Sequence, residues 1–256
     1  MKRFIRSNKT TAIMLAFLIY FMYATQPDRA PAAPKLHEAV YTAMDFSFTG
    51  PDSLPAGWTS FRIENKGKDL HHIQLIQLKG GKTRDDFEFV IKANPKLAKP
   101  PSWMKFAGGP NGIVPGETAT AWVKLEPGNY LLICVIPDPK GVLHAAQGMI
   151  KTLTVTASSE PVTAAPTATR VIELSDFSFA IPKPLTAGTQ TIEVKNKGSQ
   201  EHELVLVQLP PNTTVEDFGR HFTPDAPNAG GPPPGKPIGG VVGLNKGGHA
   251  YFTADL

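Results

Sequence analysis

The sequence predicts an all-β fold of two tandem Greek-key β-sandwiches, each with one short helix, behind an N-terminal signal or anchor segment. Glycine and proline are abundant, at 23 and 25 of 256 residues, and only 19% of residues are charged. This composition suits short strands joined by turns. Short apolar or alternating runs are separated by turn residues, as in sandwiches and barrels. The second half of the chain also repeats the first at a constant spacing of 131 residues.

The N-terminus carries a targeting pattern. Four basic residues precede an apolar run of 13 residues, from Ala12 to Ala24. That length is typical of a signal-peptide core and short of the roughly 20 residues of a membrane span. We expect residues 1–24 to be a cleaved signal peptide or a membrane anchor, and 25–35 to be a tether. Either alternative predicts a periplasmic or extracellular protein that meets the membrane only through this segment.

Charge and cysteine content narrow the function classes. The net charge of +4 is small for this length, and several basic residues lie in the N-terminal segment. We therefore expect no nucleic-acid partner. The single cysteine, Cys134, excludes an internal disulfide. A free thiol in an exported protein is either an inert core residue or a thiolate held by a metal.

The internal repeat keeps one register over about 80 residues. Aligned pairs are Asp45/Asp176, Asn65/Asn196, Gly67/Gly198, His71/His202 and Leu125/Leu256. The alignment predicts a first domain over 36–156, an Ala/Ser/Thr/Pro-rich linker over 157–169 and a second domain over 170–256.

The second domain stops at the counterpart of Leu125, before any counterpart of Cys134. Either the chain is a fragment of a longer protein, or this domain has lost two strands. We expect a fragment, because a sandwich without two strands exposes edges.

Local patterns place the elements of the first domain. Strands are expected over 58–63, 71–78, 119–125, 130–136 and 149–156, from apolar or alternating residues between turn signals. One helix is expected over 83–93, with Thr83 as its N-cap and acidic residues in its first turn.

Four residues on these strands and loops form a candidate metal-binding set. His71 follows the turn Asn65-Lys66-Gly67, Cys134 lies on an apolar strand, and His144 and Met149 occupy the loop after it. Two imidazoles and a thiolate in a trigonal plane, with a weak axial thioether, are what a blue-copper site requires.

The tract from Tyr130 to Met149 resembles the plastocyanin/azurin-type cupredoxin family, which pairs a turn-then-His strand with a Cys–His–Met loop. The resemblance implies one copper ion, cycling between Cu(I) and Cu(II), with His71, Cys134 and His144 as equatorial ligands and Met149 as the axial one. It also implies a redox protein partner docking near His144. Nine residues separate Cys134 from His144, where the family usually has two to four. The extra residues either bulge outward or prevent the loop from closing on a metal.

The adjacent His71 and His72 compete for the first ligand position. Alternation places His71 on the face of Ile73, and the repeat aligns it with His202. His72 aligns with Glu203, so we expect His71 to point inward and His72 to lie at the surface.

These patterns favour a non-enzymatic function. We expect one-electron transfer outside the cytoplasm through a copper site in the first domain. Copper storage or delivery, and a metal-free interaction module, are the alternatives. The His-x-His pairs typical of oxidase copper clusters do not occur in the sequence. The second domain, which lacks a counterpart of Cys134, is expected to bind no copper.

Overall fold

A computed structural model describes residues 37–158, 164–220 and 234–256. The predicted signal or anchor segment and the tether lie outside the described residues, as does part of the predicted linker. Within the described ranges, no helix has the length and apolar character needed to cross a membrane.

The described residues form fifteen strands, two α-helices and one short 3₁₀ helix. The strands are β1 (His37–Met44), β2 (Ser47–Thr49), β3 (Ser53–Pro55), β4 (Gly57–Asn65), β5 (Gln74–Leu78), β6 (Met104–Gly108), β7 (Thr118–Leu125), β8 (Gly128–Ile133), β9 (Ile150–Thr156), β10 (Arg170–Ser175), β11 (Ser178–Ala180), β12 (Thr189–Asn196), β13 (His202–Gln208), β14 (Lys236–Leu244) and β15 (His249–Asp255). The helices are α1 (Arg84–Ala93), the 3₁₀ helix (His144–Gln147) and α2 (Val215–Arg220).

The strands form two sheets that pack as a β-sandwich, so the predicted all-β fold class is confirmed. One sheet has the order β11-β10-β12-β15-β7-β4-β1-β2, and the other β13-β14-β6-β5-β8-β9-β3. Between residues 39 and 155, alternate side chains of both sheets pack into one core. Its largest members include Tyr41, Phe61, Leu75 and Leu132, all fully buried.

Helix α1 covers the outer face of β5 and β8. Phe87 and Ile91 are its buried residues, and they join Ile76 and Leu131 in a second apolar cluster. The predicted N-cap is confirmed: Asp86 N–H donates to Thr83 Oγ1, and Thr83 N–H donates back to the Asp86 carboxylate. The cap and the buried stripe together fix the helix against the sheet.

The strand predicted over 71–78 is shorter in the structure. Regular pairing begins at Gln74, while His71 makes only an isolated bridge to Ile113. Side chains before Gln74 therefore need not alternate. The prediction that His72 lies at the surface is wrong, because His72 is buried and its Nε2 accepts a 2.9 Å hydrogen bond from Val135 N–H.

Both sheets contain strands from both of the predicted domains, 36–156 and 170–256, which the sequence did not indicate. Strand β15 pairs antiparallel with β7, with Phe252 opposite Ala121, and Pro110 bridges Val241. Each pair joins residues 131 positions apart.

The hydrogen bonds at this junction are reciprocal. Asn111 N–H donates to Gly240 O at 3.4 Å, and Val242 N–H donates to Gly109 O at 3.1 Å. Residues that the sequence repeat aligns, 109 with 240 and 111 with 242, therefore exchange roles in these two hydrogen bonds.

Candidate metal centre

Three of the four sequence-predicted ligands converge within the predicted first domain. The ligand-capable atoms of His71, Cys134 and His144 all lie within 4.8 Å of one another. His71 precedes β5, Cys134 directly follows β8, and His144 opens the 3₁₀ helix. All three side chains are buried, with at most 1% exposure. The structure thus brings a sulfur and two imidazoles together in the buried interior.

The His71 ring is oriented by Asp45. Its Nε2 lies 2.8 Å from Asp45 Oδ1, which leaves Nδ1 as the free ring nitrogen. That Nδ1 is buried and has no hydrogen-bond partner within the described residues. A buried polar atom left unpaired costs about 1–3 kcal/mol. A bound metal ion would satisfy it.

Asp45 itself is held by backbone donors. The N–H groups of Lys68 and Asp69 donate to its carboxylate at 3.0 and 3.3 Å. Burial alone would raise the pKa of Asp45, but the hydrogen bonds from His71 and from these two amides outweigh it and lower the pKa. Asp45 is therefore an anion that fixes the orientation of His71.

The turn before His71 is shaped to hold this pair. Asn65 Nδ2 donates to Asp69 O at 2.8 Å and to Ile113 O at 2.9 Å, while Gly67 N–H donates to Asn65 Oδ1. A Cβ on Gly67 would overlap Asp45 Oδ1 and lie 2.7 Å from His71 Nε2. Glycine is required here by the close approach of the pair.

Backbone hydrogen bonds fix Cys134. Its N–H donates to Met149 O at 3.4 Å, and its carbonyl accepts from Ala145 N–H at 2.7 Å. Burial raises the pKa of the thiol to about 12. The metal-free thiol is consequently protonated at neutral pH, and the charge of a metal ion is needed to hold it as the thiolate.

The His144 ring lies between the thiol and an aromatic cover. Its Nδ1 is 3.5 Å from Cys134 Sγ, and its ring centroid is 4.8 Å from Phe46 and 5.0 Å from His71. Burial, followed by the nearby His71, lowers its pKa. The neutral imidazole that a metal ligand requires is therefore favoured.

The long loop between Cys134 and His144 folds into a compact outward turn. Asp138 Oδ1 accepts from the N–H groups of Lys140 and Val142 at 2.8 and 2.9 Å, and Pro137 bridges Leu143. The His144 N–H then donates to Ile136 O at 2.9 Å. The inserted residues therefore leave Cys134 and His144 adjacent.

Met149 is the fourth predicted ligand. Its side chain is fully buried in the same core cluster as Cys134, and its N–H donates to His144 O at 3.0 Å. These contacts place Met149 beside the pocket. The axial role stays a prediction.

Sequence reasoning missed Asp45 as the partner of His71 and His72 as a buried support. A signal for the first existed, because the Asp–His spacing of 26 residues recurs in Asp176 and His202. Burial lowers the pKa of His72 to about 3, so its neutral ring can accept the Val135 N–H.

The donor set fits a soft, redox-active metal. Thiolate and imidazole ligands suit copper, whereas magnesium and calcium prefer oxygen donors. The unpaired His71 Nδ1 and the burial of the three donors are consistent with a metal ion held by nitrogen and sulfur.

No protein-family model matches the chain, and neither does any curated protein. Among solved structures, the chain is similar to a reduced auracyanin from Roseiflexus castenholzii. The two are 20% identical, the match covers 49% of this chain and 99% of the auracyanin chain, and the TM-score is 0.33. The chain is also similar to auracyanin A, a "blue" copper protein from Chloroflexus aurantiacus. The two are 18% identical, the match covers 48% of this chain and 100% of auracyanin A, and the TM-score is 0.34. A third similar structure is a blue copper oxidase from Nitrosomonas europaea, at 16% identity. The match covers 86% of this chain and 76% of the oxidase chain, with a TM-score of 0.30.

Proposed function

We propose that the protein is an extracytoplasmic copper protein that transfers single electrons through a mononuclear site in its first domain. The convergence of His71, Cys134 and His144 in a buried pocket carries this proposal. A thiolate and two imidazoles favour copper, and a weak thioether from Met149 would complete the blue-copper set. When bound, copper supplies a one-electron couple between Cu(I) and Cu(II).

Hydrogen bonds within the first domain hold the three donor residues in place. Asp45 orients His71, and backbone hydrogen bonds anchor Cys134 and His144 on both sides of the loop. A fixed donor set rearranges little when the charge changes, which favours fast electron transfer. Copper storage or delivery needs an exchangeable site, and full burial of the three donors opposes ready exchange.

We assign the domains by the internal repeat, with 36–156 and 170–256 as tandem cupredoxin-like units joined by a linker over 157–169. The segment 1–24 is proposed to direct export or to anchor the chain, with 25–35 as a tether. These assignments place the copper site outside the cytoplasm.

The loop between Cys134 and Met149 is the proposed docking surface for a redox protein. His144 is covered by Phe46, and Val142 beside it is 37% exposed. The same loop carries the charged residues Asp138 and Lys140, and an edge with an apolar contact and few charges suits the small, transient contacts of electron-transfer partners.

Copper loading of the full chain tests the proposal. We expect one equivalent of Cu(II) to give an intense visible band that disappears on one-electron reduction and returns on reoxidation. A chelator should remove the ion slowly. A colourless, readily removed ion would support delivery instead, and failure to bind copper would leave a metal-free module. Zinc, which accepts the same donors without redox chemistry, serves as the control metal.

Asp45→Asn is expected to weaken Cu(II) binding by roughly tenfold or more, because outer partners of ligating histidines contribute about 10–100-fold to affinity. Loss of the anion should also raise the reduction potential, since the negative charge favours Cu(II). Asp176→Asn is the matched control, because Asp176 holds His202 in the same way but lies in the other domain. Equal effects of both substitutions on copper affinity would contradict the role given to Asp45.

A further inference from the structure

Two acidic side chains at the start of β13 lie close together without a cationic partner. Glu201 directly precedes β13, and Glu203 is the second residue of that strand. Burial, followed by the negative charge of Glu203, raises the pKa of Glu201 to about 7. Across the described ranges, no lysine, arginine or histidine forms an ion pair with either carboxylate. The charge of this pair is therefore not balanced by those parts of the chain.

The amide of Gln74 directs an unpartnered oxygen toward the same place. Gln74 is only 2% exposed, and its Nε2 donates to Leu75 O and to Gly243 O, both at 3.0 Å. These two carbonyls fix the orientation of the amide, because the opposite orientation would turn Oε1 toward them. Among the described residues, no donor reaches Gln74 Oε1. A buried acceptor left without a partner is unfavourable, so a ligand at this oxygen would stabilise it.

Gly243 is the point at which these oxygens meet. A Cβ on Gly243 would overlap Glu201 Oε1 and would lie 2.9 Å from Gln74 Oε1. The carboxylate oxygen and the amide oxygen therefore share the space that a side chain would otherwise occupy. Both are acceptors, so they repel each other unless a proton or a cation lies between them.

The repeat places an apolar contact at the equivalent position of the predicted first domain. It aligns Glu201 with Leu70, and Gly243 with Gly112. A Cβ on Gly112 would lie 3.4 Å from the Leu70 side chain. Because leucine fills this position in one repeat, packing of the sandwich does not require a carboxylate there. The acidic residue in the other repeat points instead to a ligand.

We propose that Glu201, Glu203 and the Oε1 atom of Gln74 bind a calcium ion. All three groups offer oxygen, which Ca²⁺ accepts from carboxylates and amide carbonyls in flexible geometry, whereas Mg²⁺ requires a near-ideal octahedron. Copper favours the nitrogen and sulfur donors of the other site. Glu201 and Glu203 keep part of their surface in contact with solvent, which gives the ion a path and leaves room for water ligands.

Such an ion would tie β5 to β13. Gln74 opens β5 in the predicted first domain, and the two glutamates lie in and beside β13 in the predicted second domain. These strands are separated in the sheet by β6 and β14. Calcium would therefore stabilise the pairing of strands from both repeats, independently of the copper site.

Calcium titration of the chelator-treated full chain, at about pH 8, tests the proposal. The Glu201 carboxylate is ionised there, because this pH lies above its raised pKa. We expect one Ca²⁺ per chain with a dissociation constant of about 10⁻⁴–10⁻³ M, the range of extracellular calcium modules. Tm should rise with Ca²⁺ concentration, because the ion binds the folded state. Mg²⁺ should bind more weakly.

Glu201→Gln and Glu203→Gln should each weaken Ca²⁺ binding at least about tenfold, because calcium affinity depends on the number of charged ligands. The Tm of the metal-free variants should stay the same or rise, since each substitution removes a like-charge repulsion. Glu216→Gln is the matched control. Glu216 is an exposed acidic residue of α2, and its substitution should leave calcium affinity unchanged.

Several results would overturn the inference. No Ca²⁺ binding to the unsubstituted chain would show that a proton, and not an ion, lies between Glu201 and Gln74. Binding that survives Glu201→Gln, or that Glu216→Gln weakens equally, would exclude these ligands, as would tighter binding of Mg²⁺. Cys134→Ser should keep its calcium affinity, and loss of calcium there would assign the ion to the other metal centre. Because Glu201→Gln should leave the copper band unchanged, this inference and the proposed function fail separately.

Discussion

Cys134→Ser is expected to abolish the intense visible absorption of the copper-loaded chain. The band requires a copper–thiolate bond, and Cys134 is the only cysteine in the sequence. The substitution should also remove the stabilisation that copper confers. For the unsubstituted chain, an ion present at 100 times its dissociation constant raises the free energy of unfolding by about 2.7 kcal/mol. Visible spectra and thermal unfolding with and without Cu(II) measure both effects.

Cys134→Ala separates this chemistry from packing. It also lacks the thiolate, but it buries no hydroxyl among the apolar residues around position 134. Both variants should lose the band and the copper-induced rise in Tm, while differing in metal-free stability by an amount on the order of 1–3 kcal/mol. A band that survives either substitution would show that Cys134 is not the sulfur ligand.

Gly67→Ala is expected to damage both stability and copper binding. The new Cβ would overlap the Asp45 carboxylate and crowd His71 Nε2, so the pair must separate. Overpacking of this kind costs about 1–3 kcal/mol. The misplaced His71 should weaken copper binding by roughly 10–100-fold. Denaturant unfolding and a competitive copper titration measure the two effects.

Gly198→Ala is the matched control, because its Cβ would overlap His202 Nε2 in the second domain. We expect a similar loss of stability with copper affinity unchanged. If Gly198→Ala weakened copper binding as strongly as Gly67→Ala, the damage would be global unfolding. The account of the turn before His71 would then be wrong.

Much of the site could be predicted because its signals are local. The turn Asn65-Lys66-Gly67, the loop from Cys134 to Met149 and the Thr83 cap each depend on residues close in sequence. The loop length was the open question, and it is answered by Asp138, whose side chain accepts two backbone N–H groups within four residues. Because this Asx-type turn closes the loop locally, the inserted residues do not displace Cys134 or His144.

Other features depend on contacts distant in sequence. The burial of His72 follows from an irregular entry into β5, where the two-residue period does not apply. The continuous sheets depend on β7 accepting β15 at its open side. Short strands with few charges allow such pairing, but no local pattern specifies the partner.

The sulfur content of the copper environment is the most direct test of the account. X-ray absorption at the copper edge, recorded on the full chain loaded with one equivalent of Cu(II), should show one short sulfur contact together with two imidazoles. The sulfur contribution should vanish in Cys134→Ser. A copper environment made only of nitrogen and oxygen donors in the unsubstituted chain would contradict the assignment of His71, Cys134 and His144 as a copper site.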